Sequence, residues 1–149
     1  MFYDRITRRI HEEIGGKEYL FCLTIGGLAE LEDRIGQPLM QFMSAADQGK
    51  LPPIHALVDA FWIAARDGGN KKRISREEGE KIFSQYMVDS ENGIGDAVNL
   101  FMALVAVSGI LGARGRSNIL KNLGLVDKDG DPAGEEKNVK QAKAATETE

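Results

Sequence analysis

Apolar positions recur in two periods along this chain, every second residue near the start and every third or fourth thereafter. Ile6, Ile10 and Ile14 alternate with polar neighbours, Gly15-Gly16 offers a two-residue turn tolerant of positive φ, and Tyr19, Phe21, Leu23 and Ile25 alternate beyond it. The pattern predicts a β-hairpin over 6–25, with Ile10 opposite Phe21 and Ile6 opposite Ile25, so that both strands turn one apolar face inward. From Thr24 the period changes. Thr24 is placed to cap a helix whose buried positions are Leu28, Leu31 and Ile35, with Gly36 as its left-handed stop. A short helix then starts at Pro38 and buries Leu39, Phe42, Met43 and Ala46. Pro52-Pro53 opens a third with Ile54, Leu57, Val58, Phe61 and Ala65 on one stripe, ended by Gly68-Gly69. Ser75 and Glu78 match a capping box for a fourth helix with Ile82, Phe83, Tyr86 and Met87 inward. The last helix, from about Ile94 to Leu111, carries Val98, Phe101, Leu104, Val105 and Ser108 on one side and Leu100, Val107 and Ile110 around the rim. So broad an apolar surface suits a central helix or one that meets a partner.

These periods predict a mainly α protein with an N-terminal β-hairpin, an α+β fold of about five helices packed as one small domain. The domain is expected over 1–126: hairpin 6–25, helices 26–112, then a helix end and linker over 113–126. After Val126 the chain becomes rich in Asp, Glu, Lys, Ala, Gly and Thr, with Val139 as the only large aliphatic residue. A disordered charged tail is expected over 127–149.

Length and composition agree with one core: 149 residues, 42% of them apolar, are enough for one ordinary domain. Net charge is −4, and the segment after Val126, with seven acids and four bases, holds −3 of it, which leaves 1–126 near −1. No overall positive field exists to draw the chain to nucleic acid or an anionic membrane, so neither is expected as a partner. The longest apolar run, Ala97 to Leu111, is shorter than the ~20 residues a membrane span needs. Cys22 is the single cysteine, which excludes an internal disulfide and any multi-thiolate metal site and fits a reducing cytosol. The opening residues lack the apolar stretch of a secretory signal, so export by that route is not expected.

Each candidate for catalysis has a simpler reading. Glu77, Glu78 and Glu80 stand at a helix start, where capping and the helix dipole favour acids. His11 and His55 have no patterned partner, and Cys22 alternates with Phe21 and Leu23 as a half-buried hydrophobe. Asp127, Asp129 and Asp131 resemble the start of a calcium loop, but glycine is at the fourth position, Pro132 at the sixth, and Asn138 where the bidentate glutamate belongs. Gly112-Ala-Arg-Gly-Arg-Ser lacks the strand before it and the Gly-Lys-Ser/Thr element of a phosphate loop. No catalytic, metal-binding or cofactor-binding residue is assigned, and no enzyme is expected.

The run Gly16-Lys-Glu-Tyr-Leu-Phe-Cys-Leu-Thr-Ile-Gly-Gly-Leu-Ala-Glu-Leu-Glu-Asp-Arg-Ile-Gly36 resembles the opening of the gene-transfer-agent tail assembly chaperone family, relatives of phage and prophage proteins encoded beside the tape-measure gene. The order of helices behind it, including Ala64-Ala65-Arg66-Asp67-Gly68-Gly69, extends the resemblance over roughly Arg9 to Gly112. It implies a non-catalytic chaperone in the bacterial cytoplasm that binds the tape-measure protein, contacts tail-tube subunits and self-associates. The alternative it leaves is a structural tail protein, of tube or completion type, that stays in the particle. For the chaperone role, Leu100, Phe101, Leu104, Val107 and Ile110 are the expected partner-binding or self-association face, the alternative being that all five simply belong to the core.

Overall fold

The computed structural model describes residues 1–127 and 129–133. Its elements in chain order are β1 (Phe2–Asp4), β2 (Arg9–Ile14), β3 (Lys17–Phe21), α1 (Ile25–Ile35), α2 (Leu39–Asp47), α3 (Ile54–Arg66), α4 (Arg76–Asp89), α5 (Ile94–Ser108), α6 (Gly112–Asn122) and β4 (Val126–Asp127). The fold is α+β, as expected, with a small sheet packed against helices.

The β2–β3 hairpin forms in the expected register. Gly15 and Gly16 take positive φ in its turn, and Ile10 pairs with Phe21, both fully buried. The expected partnership of Ile6 with Ile25 does not form. Asp4 accepts hydrogen bonds from the Ile6 and Thr7 amides in a tight reversal, and this folds Phe2–Asp4 back onto Arg9–His11 as an extra antiparallel strand. Ile6 is left 82% exposed at the tip. At the other end Thr24 Oγ1 accepts from the Gly27 amide, so Ile25 is the first helical residue instead of a strand residue. The sheet order is β3-β2-β1-β4, the last strand returning from α6 to run parallel to β1.

The helices begin and end where capping chemistry places them. Gly36 closes α1 with φ 77°, its amide bonded to the Glu32 carbonyl, and Ser75 Oγ accepts from the Glu78 amide at the start of α4. α3 is the central element, its residues from Ala56 to Ala65 all buried. Phe61 meets Phe21 of the sheet at 4.9 Å between ring centroids, and Phe83 and Tyr86 of α4 at 5.4 and 5.7 Å. Ile54, expected on the buried stripe, is exposed at the first turn.

Two expectations for the C-terminal third are corrected. The segment read as a helix end and linker contains α6, whose Leu120 is fully buried; its two glycines and two arginines masked a stripe of Ile119, Leu120 and Leu123. The fold also continues past Val126. Asp127 joins β4 and accepts from the Asp129 and Asp131 amides, and the Ala133 amide donates to Leu125 so that Ala133 is buried. The remainder of the tail expected to be disordered, 134–149, lies outside the described residues.

Candidate interaction surfaces

Four of the five residues expected to form a partner face lie in the core. Leu100, Phe101, Leu104 and Val107 are each 3% exposed or less, and only Ile110 reaches the surface, at 46%. The breadth of the apolar stripe on α5 has a plain cause: the helix is covered on more than one side. Leu100, Phe101 and Leu104 face Leu57, Ala60, Phe61 and Phe83, while Phe101 packs edge-on against Phe42 of α2 at 5.4 Å. α6, which the periodicity did not predict, packs against α5 as well. In this conformation these four side chains cannot meet a partner.

The large apolar residues that do face solvent are elsewhere. Ile25, Met40, Leu51, Ile54 and Val88 are each more than half exposed. Of these, Ile25 and Ile54 were expected to be buried and Met40, Leu51 and Val88 carried no expectation. A period of 3.6 identifies which residues share a face, but not whether a neighbouring element covers it.

Polar side chains mostly tie elements together. Asp59, 6% exposed, lies 2.9 Å from Arg76 and 3.5 Å from Arg34, joining α3 to α4 and α1. The Arg34 and Arg66 guanidinium groups lie over the Trp62 ring at 4.8 and 5.0 Å from its centroid, and Trp62 Nε1 donates to the Ile74 carbonyl at 3.0 Å. Arg66 is held firmly charged, first by its hydrogen bond to Asp67 and further by the one to Glu30. Asp59 Oδ1, shared by Arg34 and Arg76, ties three helices together.

Asn70 performs a similar task for the sheet. It accepts from the Leu20 amide and donates to the Leu20 and Ala65 carbonyls, each at 2.9 Å, so its amide acts as a short strand on the edge of β3 and fastens that edge to the end of α3. Gly68 makes the approach possible. A Cβ there would stand 1.9 Å from the Leu20 carbonyl oxygen.

Two concavities flank α4. One, of about 570 Å³, is lined by Glu12, Glu13, Asp89, Glu91 and Asp96 together with Tyr86. Burial pushes the Glu12 carboxyl up, countered in part by the N-terminal ammonium 3.6 Å away. Asp96 is held below the usual carboxylate range because Ser90 and then Asn92 donate hydrogen bonds to it. Burial first, and then the Glu12 and Asp96 charges, raise the Tyr86 phenol, whose hydroxyl donates to the Asp96 carbonyl. The other concavity, of about 510 Å³, runs between β3, the 69–74 loop and the start of α4, with Lys17, Lys71 and Lys72 at its rim and Ile74 and Ile82 inside.

The residues weighed for chemistry are separated. His11 bonds Glu18 at 2.9 Å and stacks on Phe2 in the sheet, while His55 is exposed on α3. Burial pushes the Cys22 thiol up, which disfavours the thiolate a nucleophile needs. Among the described residues no group of three or more His, Cys, Asp or Glu side chains is arranged to hold a metal ion, and no helix is long and apolar enough to cross a membrane.

A protein-family model described as phage tail tube protein, GTA-gp10, matches residues 9–87, which run from the start of β2 to near the end of α4. No curated protein and no solved structure matches the chain. The matched region is more than half of the sequence and contains the Gly16–Gly36 run, the hairpin and the central helix, so the chain belongs to the phage tail tube protein family, GTA-gp10.

Proposed function

We propose that this protein is a non-catalytic component of a phage-like or gene-transfer-agent tail, acting in the bacterial cytoplasm through contacts with other tail subunits and remaining in the finished tube. The supporting observation is the family match over residues 9–87, whose description names the tail tube. This reverses the order of the two readings drawn from sequence, in which the chaperone came first. Mass spectrometry of purified particles tests it: the chain is expected in the tail in stoichiometric amounts, and particles that lack it would overturn the reading.

The chaperone remains as a second reading because of one feature of the fold. β4 has two residues and the open edge of β3 is capped by Asn70, so little edge is offered for extending a sheet from subunit to subunit. The surface of α2, α3 and their connection, with exposed Met40, Leu51 and Ile54, is better suited to holding a helical client such as the tape-measure protein. Co-expression with a tape-measure fragment separates the two: a chaperone keeps the fragment soluble and is absent from particles.

A further inference from the structure

The two ends of α4 carry surfaces of opposite charge, and the apolar element of each matches the other. At the N-terminal end the groove beside β3 has Ile74 and Ile82 inside and Lys17, Lys71 and Lys72 at the rim, with Arg73 exposed next to them. Three lysines against two acids, Glu18 and Glu78, line this groove, and the exposed Arg73 adds a fourth cation, so the mouth is net positive even with Glu78 3.9 Å from Lys72. At the C-terminal end Val88 is 77% exposed, with Asp89 and Glu91 exposed beside it. No basic residue stands in the last turn of this helix, and acids placed there oppose the helix dipole. Asp89 has a local purpose, since it accepts from the Gly15 amide and from Gln85. No bond within the fold explains Val88, and a single exposed valine would mean little without a matching recess on the same chain.

We propose that the Val88–Glu91 end of one copy docks into the β3–α4 groove of a second copy, with Val88 entering against the half-buried Ile82, which lies beside the buried Ile74, and Glu91 meeting Lys71 and Lys72. The two patches are different surfaces of one molecule, so the contact is heterologous and repeats from copy to copy unless rotation closes it into a ring. Part of its strength is electrostatic between partly exposed charges, so association weakens as salt rises. The inference goes beyond the tail role by naming the contact, and it does not depend on which tail role is correct.

Sedimentation velocity on the isolated full chain tests it, with no other tail protein present. The wild type is expected to associate with rising concentration at low salt and to dissociate at high salt. K71E/K72E removes the groove charge and V88K/E91K removes the docking end; each is expected to weaken association by about tenfold or more, roughly 1.4 kcal/mol. Every altered side chain is exposed, so circular dichroism and urea midpoints should match the wild type. Mixing the two variants should restore association, since each retains the surface the other lost and the reversed pair is again complementary. A wild type that stays monomeric, variants that associate like wild type, or a mixture that fails to recover would each overturn the proposal. Such a result leaves the particle experiment unaffected, so failure here and failure of the tail reading are distinguishable.

Discussion

Replacing Asn70 with alanine removes the amide that joins the edge of the sheet to the central helix. The side chain makes three hydrogen bonds of 2.9 Å, two to the Leu20 backbone and one to the Ala65 carbonyl. At about 1 kcal/mol each they amount to ~3 kcal/mol, reduced to roughly 2 kcal/mol where water replaces the amide at the partly exposed edge. Domains of this size are stable by about 5–15 kcal/mol, so the loss is readily measured. Asn70→Asp separates the polar contribution from the loss of volume. It keeps the acceptor for the Leu20 amide but sets a carboxylate against two carbonyl oxygens, and should cost at least as much as alanine. Equilibrium urea unfolding followed by circular dichroism gives both values, provided the slope of free energy against denaturant is unchanged. Hydrogen exchange at the Leu20 amide should accelerate in both variants. A cost for Asn70→Ala below ~0.5 kcal/mol, or an Asn70→Asp protein as stable as the wild type, would refute the view that this side chain holds the sheet to α3.

Further outcomes follow from the packing and the charges. Gly68→Ala should be more damaging than either Asn70 change, because a Cβ 1.9 Å from the Leu20 oxygen must retreat by about 1.4 Å to reach an ordinary contact; loss of cooperative unfolding in thermal melts is the expected sign. Val107→Ser should cost about 2–4 kcal/mol, for a buried apolar group lost and a hydroxyl gained, whereas Ile110→Ser should change urea stability by less than ~0.5 kcal/mol. Asp59→Ala should cost about 1–2 kcal/mol, since Arg34 and Arg76 lose their shared carboxylate but are partly exposed and keep Glu30 and Glu80, with a urea titration as the measure. For pH, Asp96 has a folded pKa below its ordinary 3.8, so its contribution to stability is present above that value and lost as pH falls through the folded pKa; Asp96→Asn should flatten the acid limb of a stability–pH curve. Glu12 has the opposite sign: its raised pKa favours the protonated folded state, so its contribution is lost as pH rises, and Glu12→Gln should gain stability at neutral pH.

The parts of this fold legible in sequence are those fixed by local chemistry. The Gly15-Gly16 turn sets a register that pairs Ile10 with Phe21, Thr24 and Gly36 bound α1, and Ser75 with Glu78 begins α4. Each of these signals acts within a few residues and needs no knowledge of what lies across the core. What was not legible depends on contacts between distant segments. β1 forms because Asp4 turns the chain back, and β4 because α6 delivers Val126 to the sheet edge some 120 residues after Phe2. Asn70, between Gly69 and Lys71, reads as an ordinary loop residue, although it completes the edge of a strand 50 residues earlier.

The same distinction accounts for the burial of the α5 stripe. The stripe on α5 reads in sequence as surplus because a helix apolar around much of its circumference has more to cover than one neighbour supplies. α2, α3 and α6 supply the cover, and α6 was hidden behind glycines and arginines that look like a linker. Surface apolar residues such as Val88 stand out only once the buried ones have been subtracted. That subtraction moves attention from the centre of α5 to the ends of α4, where charge and exposed apolar surface coincide. A contact between unlike ends of one chain has the geometry that repetition needs, because unlike surfaces can propagate and a self-complementary one closes at two copies.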